Sequence, residues 1–269
     1  RFYIPKNPLM FHANWTVGVD NKLALLRTTR KIVEQGRLGV ARNNLMLRFR
    51  IGSASRKTAL LAIEERSVPG PAGPGTDCRP SRVCLDASTV CQLKCPSCPT
   101  ADGTIGKKIG GGFLSLENFA RFVREHAWVK DIELSNWGEI FLNPDLMNIL
   151  AYAYEHHVTL RADNGVNLNT VSEELLEALV KYRFRSMTCS IDGASQETYS
   201  IYRRQGNFET VIGHIKRINE YKTRYHSEFP LLRWQFVAFG HNEHEVQTAR
   251  YMAQDLKMDF YIKLSWTET

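Results

Sequence analysis

The stretch RVCLDASTVCQLKCPSC, residues 82–98, joins a strand-like pattern to a dense cysteine motif. In its first part Val83, Leu85 and Ala87 alternate with polar residues, which is the pattern of a strand with one apolar face. Three cysteines then fall within eight residues, from Cys91 to Cys98. We therefore expect the three thiols to lie on the loop that directly follows the strand.

This strand opens a regular alternation that runs to the end of the chain. Six strands are predicted, at Arg82–Ser88, Lys130–Asn136, Val158–Asp163, Ser186–Asp192, Leu231–Phe239 and Phe260–Trp266. Six helices are predicted between them, at Leu116–Ala127 (capped by Ser115), Asp145–His157, Ser172–Tyr182, Gln196–Arg203, Phe208–Tyr225 and Glu243–Lys257. Strands that alternate with helices indicate repeated βα units and a parallel sheet.

The two faces of these strands differ in polarity. In each strand one set of alternating residues is apolar and the other is mostly polar, whereas the strands of a doubly wound sheet are apolar on both faces. Cys189 falls on the apolar face with Met187 and Ile191, so we interpret it as a core residue. The pattern predicts an α/β fold, a partial (β/α)6 TIM-like barrel with a polar lumen.

The part of the chain before residue 77 has a different composition. Residues 1–66 carry 13 basic and 4 acidic residues, and they include predicted helices at Asn21–Gln35 and Ala41–Arg50. Residues 67–76, rich in Pro and Gly, predict a linker. We therefore expect a basic, mostly helical segment at 1–66, a linker at 67–76 and a core at 77–269. The basic segment could be a solvated surface or an arm that binds nucleic acid.

The cysteine cluster favours metal binding over disulfides, because the chain is neither short nor led by a signal peptide. An iron–sulfur cubane normally takes four cysteines, so Cys91, Cys95 and Cys98 would leave one iron open to a small molecule. Structural zinc also needs four ligands, and Cys78 or Cys84 could supply the fourth. The spacing of the cysteines is compatible with both kinds of metal site.

Cys-x3-Cys-x2-Cys after the first strand of a six-fold βα chain resembles the radical S-adenosylmethionine (radical SAM) superfamily. The string CQLKCPSCPT resembles the branch whose members often carry a C-terminal SPASM auxiliary-cluster domain, and no such domain is expected in this chain. The resemblance implies that Cys91, Cys95 and Cys98 hold a [4Fe-4S] cluster whose fourth iron is chelated by S-adenosylmethionine (SAM).

The resemblance extends to motifs at the ends of later strands. Gly138 and Glu139 match the pair that binds the methionine moiety of SAM, and Glu139 could accept hydrogen bonds from its ammonium. Ser190 and Asp192 share the polar face and suit the ribose hydroxyls. Within Tyr202–Phe208, an arginine could reach the SAM carboxylate, and the spacing favours Arg204 over Arg203.

Two other positions are of interest at this end of the sheet. Asp163 stands where the family often has a small hydroxyl residue, and Asn164-Gly165 after it suggests a tight turn as readily as a ligand contact. Strand parity also gives a set of candidate substrate contacts: Asp86, Arg161, Arg233, Gln235 and Lys263.

The implied function is reductive cleavage of SAM to a 5′-deoxyadenosyl radical, which abstracts hydrogen from a peptide or small metabolite. The implied partners are that substrate and an electron donor of the flavodoxin or ferredoxin type. Because an open iron site is oxygen-labile, we expect a cytoplasmic protein, and we expect neither a nucleic-acid partner nor a membrane. The alternative is a zinc-stabilised, non-catalytic binding protein with a basic nucleic-acid-binding arm.

A second resemblance is confined to the N-terminal part. Residues 10–22 are similar to the closing segment of some nucleotide-sugar glycosyltransferases. The chain lacks the nucleotide-binding body of such enzymes, so this similarity implies no transferase activity.

Overall fold

A computed structural model describes residues 39–41, 46–48 and 81–264. Its strands are β1 (Gly39–Ala41), β2 (Met46–Arg48), β3 (Arg82–Cys84), β4 (Asp131–Glu133), β5 (Thr159–Val166), β6 (Ser186–Ser190), β7 (Leu231–Ala238) and β8 (Asp259–Leu264). Its helices are α1 (Thr104–Ile109), α2 (Leu116–Glu125), α3 (Leu146–Glu155), α4 (Glu173–Lys181), α5 (Gln196–Tyr202), α6 (Phe208–Arg224) and α7 (Val246–Asp255). Short 3-10 turns occupy Ile140–Leu142 and Glu243–Glu245.

The strands form one open sheet in the order β1-β2-β8-β7-β6-β5-β4-β3. From β3 to β8 each strand pairs in parallel with the next one along the chain. Six parallel strands that curve without closing are a partial TIM-like barrel, so the fold predicted from the alternation is confirmed. Within residues 81–264, the six parallel strands and six of the helices were predicted within a few residues of their observed bounds, and α1 was missed.

The predicted helix over Ala41–Arg50 is wrong where the structure describes it. Gly39–Ala41 and Met46–Arg48 form an antiparallel pair, and Met46–Arg48 pairs in turn with Tyr261–Lys263 of β8. The edge of β8 offers unpaired backbone groups, and pairing with them overrides a weak local helical preference. The predicted helix at Asn21–Gln35 and the linker at 67–76 lie outside the described residues.

The other edge of the sheet is covered by a segment after α1. Ser88 and Phe113 form an antiparallel bridge, and Leu114 donates its backbone N–H to the carbonyl of Ala87 at 3.0 Å. Ser115 then caps α2 as predicted, accepting a hydrogen bond from the backbone of Asn118 at 3.2 Å.

The apolar faces of the strands pack against the helices and form the core. Met187, Cys189, Trp234 and Phe236 are fully buried in one continuous cluster with side chains of the helices. The interpretation of Cys189 as a core residue is therefore confirmed, and burial raises the pKa of its thiol.

The opposite faces carry a network of ion pairs near the start of the strands. Arg161 Nε lies 2.7 Å from Asp131 Oδ1, and Arg161 Nη1 lies 3.3 Å from Asp163 Oδ2. Arg233 Nη1 lies 3.0 Å from the other oxygen of Asp163, which also accepts a hydrogen bond from Ser186 Oγ at 2.7 Å. Arg161 and Arg233, predicted as substrate contacts, are thus engaged by carboxylates of neighbouring strands.

Among the residues that the structure describes, no helix combines the length and the apolar character needed to cross a membrane.

Two Gly→Ala substitutions should change stability in opposite directions. Gly165 has φ +135°, and an added Cβ would lie 2.8 Å from Ser190 Oγ, so Gly165→Ala should lower the free energy of unfolding by about 1–3 kcal/mol. Gly213 lies within α6, where an added Cβ would meet no atom within 4 Å, so Gly213→Ala should raise it by about 0.5–1 kcal/mol. Denaturant unfolding measures both, and equal effects would contradict the assigned backbone geometry.

Candidate functional site

The cysteine loop leaves the sheet after β3 and is held in place by backbone hydrogen bonds. Lys94 donates its backbone N–H to the carbonyl of Arg204 at 3.1 Å, which ties the loop to the end of α5. Glu139 donates its N–H to the carbonyl of Val90 at 2.8 Å, which ties the loop to the segment after β4. The loop therefore sits at the carboxyl ends of the strands, the rim where barrel proteins place their chemistry.

The three cysteines of this loop are free thiols, of which Cys95 is buried and Cys91 and Cys98 are partly buried. Burial raises the pKa of Cys91 to about 11, and it also raises the pKa of Cys95, although the nearby Arg203 opposes that shift. The charges of Cys95 and Cys98 raise the pKa of Cys91 further, and the charge of Cys98 raises that of Cys95. Metal binding must displace their protons, so it should be favoured by higher pH.

Two side chains direct N–H groups at the sulfurs. Asn167 Nδ2 lies 3.6 Å from Cys91 Sγ, and Arg203 Nη1 lies 3.8 Å from Cys95 Sγ. Sulfurs that carry negative charge as ligands of an iron–sulfur cluster are commonly stabilised by such donors. The surroundings therefore fit a thiolate-bound cluster.

The arrangement does not favour the zinc alternative. Among the described residues, no three His, Cys, Asp or Glu side chains are grouped so that they could hold one metal ion. A zinc ion needs its ligands around a single point, whereas each cysteine of a cubane binds a different iron. Cys84 is exposed on β3, and Cys78 lies outside the described residues.

The Gly138-Glu139 pair follows β4 and packs against the start of the cysteine loop. A Cβ on Gly138 would lie 2.3 Å from the carbonyl oxygen of Ser88, so only glycine fits there. The Glu139 carboxylate is 2 % exposed and accepts backbone hydrogen bonds from Asn167 at 2.6 Å and Phe141 at 3.3 Å. Glu139 thus joins the ends of β4 and β5, and its contact with a ligand ammonium stays a prediction.

A buried ion pair lies beside the loop. Asp192 has no exposed surface, its Oδ2 lies 2.6 Å from Arg203 Nε and its Oδ1 accepts the backbone N–H of Val237 at 2.7 Å. Burial alone would lower the pKa of Arg203, but Asp192 and Cys95 outweigh it and keep that pKa above its usual value. Such a buried carboxylate is engaged by protein groups, which argues against the predicted direct contact of Asp192 with ribose.

The structure places the two arginines differently. Arg203 has a side chain only 14 % exposed and points at Asp192 and Cys95, whereas Arg204 is exposed and meets the loop through its backbone carbonyl. Spacing along the sequence favoured Arg204 because it does not reveal how the end of α5 is rotated.

The Asn164-Gly165 pair is also not a tight turn. It lies inside β5, at a shift in the pairing register with β6 between Ala162 and Val166. Asn164 donates from Nδ2 to the Ser135 carbonyl at 2.6 Å. This irregularity brings Gly165 against Ser190, whose hydroxyl lies on the inner face, 3.5 Å from Gln235 Nε2.

Comparison with models of protein families identifies the superfamily of the chain. The model of the radical SAM superfamily matches residues 86–245, which is more than half of the chain and includes every site motif described above. The chain belongs to the radical SAM superfamily. Members of this superfamily bind a [4Fe-4S] cluster and SAM, so the cofactors implied by the cysteine motif are confirmed for the family.

Individual relatives are more distant from this radical SAM chain. The AdoMet-dependent heme synthase of Methanosarcina barkeri (strain Fusaro / DSM 804) is 27% identical over 139 residues, 51% of this chain and 38% of that protein. SuiB of Streptococcus suis bound to S-adenosylmethionine gives a TM-score of 0.57 at 16% identity, covering 71% of this chain and 41% of that one. The structure of SuiB with its precursor peptide SuiA gives 0.56 at 16% identity over 69% and 39%. The chain spans about two fifths of the length of these proteins, and the structural matches show the fold.

Two residues near the candidate site, Asn167 and Tyr261, were not named as candidates from the sequence. Asn167 is buried beside Cys91, and its backbone is bound by Glu139. Tyr261 of β8 donates its hydroxyl to Gln235 at 2.9 Å on the inner face. The strand parity that selected Gln235 also marked Tyr261, but Asn167 lies beyond the predicted strand and no sequence signal marked it.

The buried Glu139 carboxyl should make stability depend on pH. Burial raises its pKa from 4.5 to about 7 against the opposing hydrogen bonds of Asn167 and Phe141. The native state therefore binds this proton more tightly than the unfolded state, and its contribution to stability falls as pH rises from about 4.5 to about 7.

We expect wild-type apoprotein to lose stability relative to Glu139→Gln across that window, by up to about 3 kcal/mol, with a constant difference above it. Denaturant unfolding of both proteins between pH 5 and pH 8 measures the difference. A difference that does not vary with pH would contradict the raised pKa.

Proposed function

We propose that this chain is the core of an enzyme that reductively cleaves SAM at a [4Fe-4S] cluster held by Cys91, Cys95 and Cys98. The observation that carries the proposal is the placement of three thiols on one loop at the rim of an open barrel, with Cys95 buried and Cys91 and Cys98 partly buried. Two of these sulfurs already face N–H donors, from Asn167 and Arg203.

When bound, the cluster supplies one electron to SAM, whose C–S bond then breaks to give methionine and a 5′-deoxyadenosyl radical that takes a hydrogen atom from the substrate. The protein binds and orients the cofactors and the substrate, and it excludes water from them. Cys95 is buried and Cys91 is partly buried, which limits the contact of the ligated sulfurs with bulk solvent.

Arg203 is the residue we assign to the SAM carboxylate. A guanidinium has five N–H donors; Nε serves Asp192 and Nη1 faces Cys95. The guanidinium has further donors, which would suit a carboxylate held beside the cluster. Asp192 then acts through Arg203, since it fixes the guanidinium in one orientation.

Ser190 and the Gly138-Glu139 pair complete the proposed SAM site. Ser190 carries a hydroxyl on the inner face and suits a ribose hydroxyl. Gly138 lets the chain pass against the carbonyl of Ser88, and Glu139 holds the end of β5 in place. A bond from Glu139 to the SAM ammonium requires one of its remaining lone pairs.

The substrate is proposed only as a peptide or small metabolite that enters the polar lumen. The names of the relatives suggest different kinds of substrate, since one is a heme synthase and another was solved with a precursor peptide. Near the rim the inner face offers Gln235, Tyr261 and Lys263, and burial together with nearby Arg203 lowers the pKa of Lys263. We further propose a flavodoxin- or ferredoxin-type electron donor and a cytoplasmic location.

The test is anaerobic reconstitution with iron and sulfide, followed by dithionite and SAM, with Cys95→Ala as the paired variant. We expect about four irons per chain and formation of 5′-deoxyadenosine and methionine, which the variant should abolish. Colourless protein, or zinc in place of iron, would overturn the proposal. Cluster without 5′-deoxyadenosine would overturn the cleavage activity of this chain while leaving its cluster site.

The two arginines give a sharper prediction. Arg203→Lys keeps the positive charge beside Asp192 but loses the planar fork, so we expect the Kd of SAM to rise about tenfold to a hundredfold. Arg204→Ala removes an exposed side chain and should change that Kd by less than about threefold. Equilibrium dialysis of SAM against reconstituted protein measures both. The reverse order would restore Arg204 as the carboxylate-binding residue.

A further inference from the structure

Asn167 is a buried amide whose surroundings the SAM site does not explain. It follows β5 directly, is 5 % exposed, and lies beside the loop with Nδ2 3.6 Å from Cys91 Sγ. Its backbone N–H is bound by the Glu139 carboxylate at 2.6 Å. The backbone is thus held from one side while the amide reaches the sulfur on the other.

The direction of the amide is fixed by its other partners. Asn167 Oδ1 accepts the backbone N–H of Asn169 at 2.9 Å and Nε2 of Gln92 at 3.0 Å. A flipped amide would bring its NH2 group against the N–H of Asn169, two donors with no acceptor between them. The group that faces the sulfur of Cys91 is therefore the donor.

A hydrogen bond to a ligand sulfur acts differently on the two redox states of a cluster. Reduction adds one electron, and part of its charge resides on the cysteine sulfurs, so an N–H donor stabilises the reduced state more than the oxidised state. The effect grows where the surroundings are buried, because water does not screen the interaction there. A donor held at this place makes the cluster easier to reduce.

We propose that Asn167 sets the reduction potential of the cluster through its N–H bond to the sulfur of Cys91. The inference rests on the proposed cluster at Cys91, Cys95 and Cys98. One electron enters the cluster from the donor protein, and at Asn167 no bond forms or breaks and no proton moves. Asn167 thus acts on the charge of the cluster through the sulfur of Cys91, as a positioning residue, and makes no contact with the reacting atoms of the substrate.

Arg203 also directs an N–H group at the sulfur of Cys95, but substitution of Arg203 would not isolate the effect of that one hydrogen bond on the potential. It also holds Asp192, which is fully buried, and we assign it to SAM. Asn167 combines a sulfur contact with no ion pair, so its effect on the potential can be separated from SAM binding.

The experiment is a redox titration of the reconstituted protein without SAM, followed by the EPR signal of the reduced cluster. Asn167→Leu removes the donor at similar size. Asn169→Ala is the matched control, because its side chain binds the Asn167 carbonyl and the hydroxyl of Tyr199 and makes no sulfur contact. Iron and sulfide analysis establishes equal cluster content before the potentials are compared.

We expect Asn167→Leu to lower the ratio of reduced to oxidised cluster about tenfold at the wild-type midpoint, a shift of about −59 mV for one electron. The control should stay at the wild-type midpoint. An unchanged midpoint in Asn167→Leu with full cluster content would overturn the inference, and so would an equal shift in the control. A wild type that assembles no cluster would instead overturn the proposed function.

A second measurement on the wild type covers the case in which Asn167→Leu fails to retain a cluster. Protein grown with 15N-labelled asparagine is reconstituted, reduced and studied by pulsed EPR. Hyperfine coupling of the cluster spin to a 15N nucleus supports the hydrogen bond, since among residues 81–264 the asparagine side-chain nitrogen bonded to a cysteine sulfur is Asn167 Nδ2. Its absence overturns the proposal.

Discussion

The buried ion pair between Asp192 and Arg203 is the interaction on which the site depends most. Two charges removed from water are tolerated only when each is well satisfied, and removal of either partner leaves the other uncompensated. Here Asp192 is satisfied by Arg203 and by the backbone of Val237. The same pair fixes the guanidinium against Cys95, so the end of β6, the end of α5 and the cysteine loop are positioned together.

Glu139 and Asn167 form a second link across the rim. Glu139 binds the backbone of Asn167, whose side chain binds Gln92 and faces Cys91. The ends of β4 and β5 are thereby connected to the same loop that Arg203 meets from the other side. A cluster in this loop would be surrounded by groups held through buried polar contacts, which suits a cofactor whose potential and orientation must be reproducible.

The sequence predicted the fold because its information was local and repeated. Strand parity placed Cys189 in the core, and the alternation of strands and helices placed the cysteine loop at the carboxyl ends of the strands. The errors arose where tertiary contacts decide. Whether Arg203 or Arg204 turns inward depends on the rotation of a helix end, and Asn164-Gly165 continues a strand because Ser135, just after β4, supplies hydrogen bonds. The strand at Met46–Arg48 exists because β8 provides a partner edge.

The antiparallel pair β1 and β2 has a consequence for how disturbances spread through the sheet. It occupies the free edge of β8, so within the described part of the chain the sheet runs from β1 on one side to β3 on the other, with no ladder between these two strands. In a closed barrel the first and last strands would be neighbours, and a shift in one would be felt directly by the other. In this open sheet no ladder joins the two edges directly, so a movement at the β1 end reaches the cysteine loop through β8 and β7 and then through the shorter route of Val237, Asp192 and Arg203.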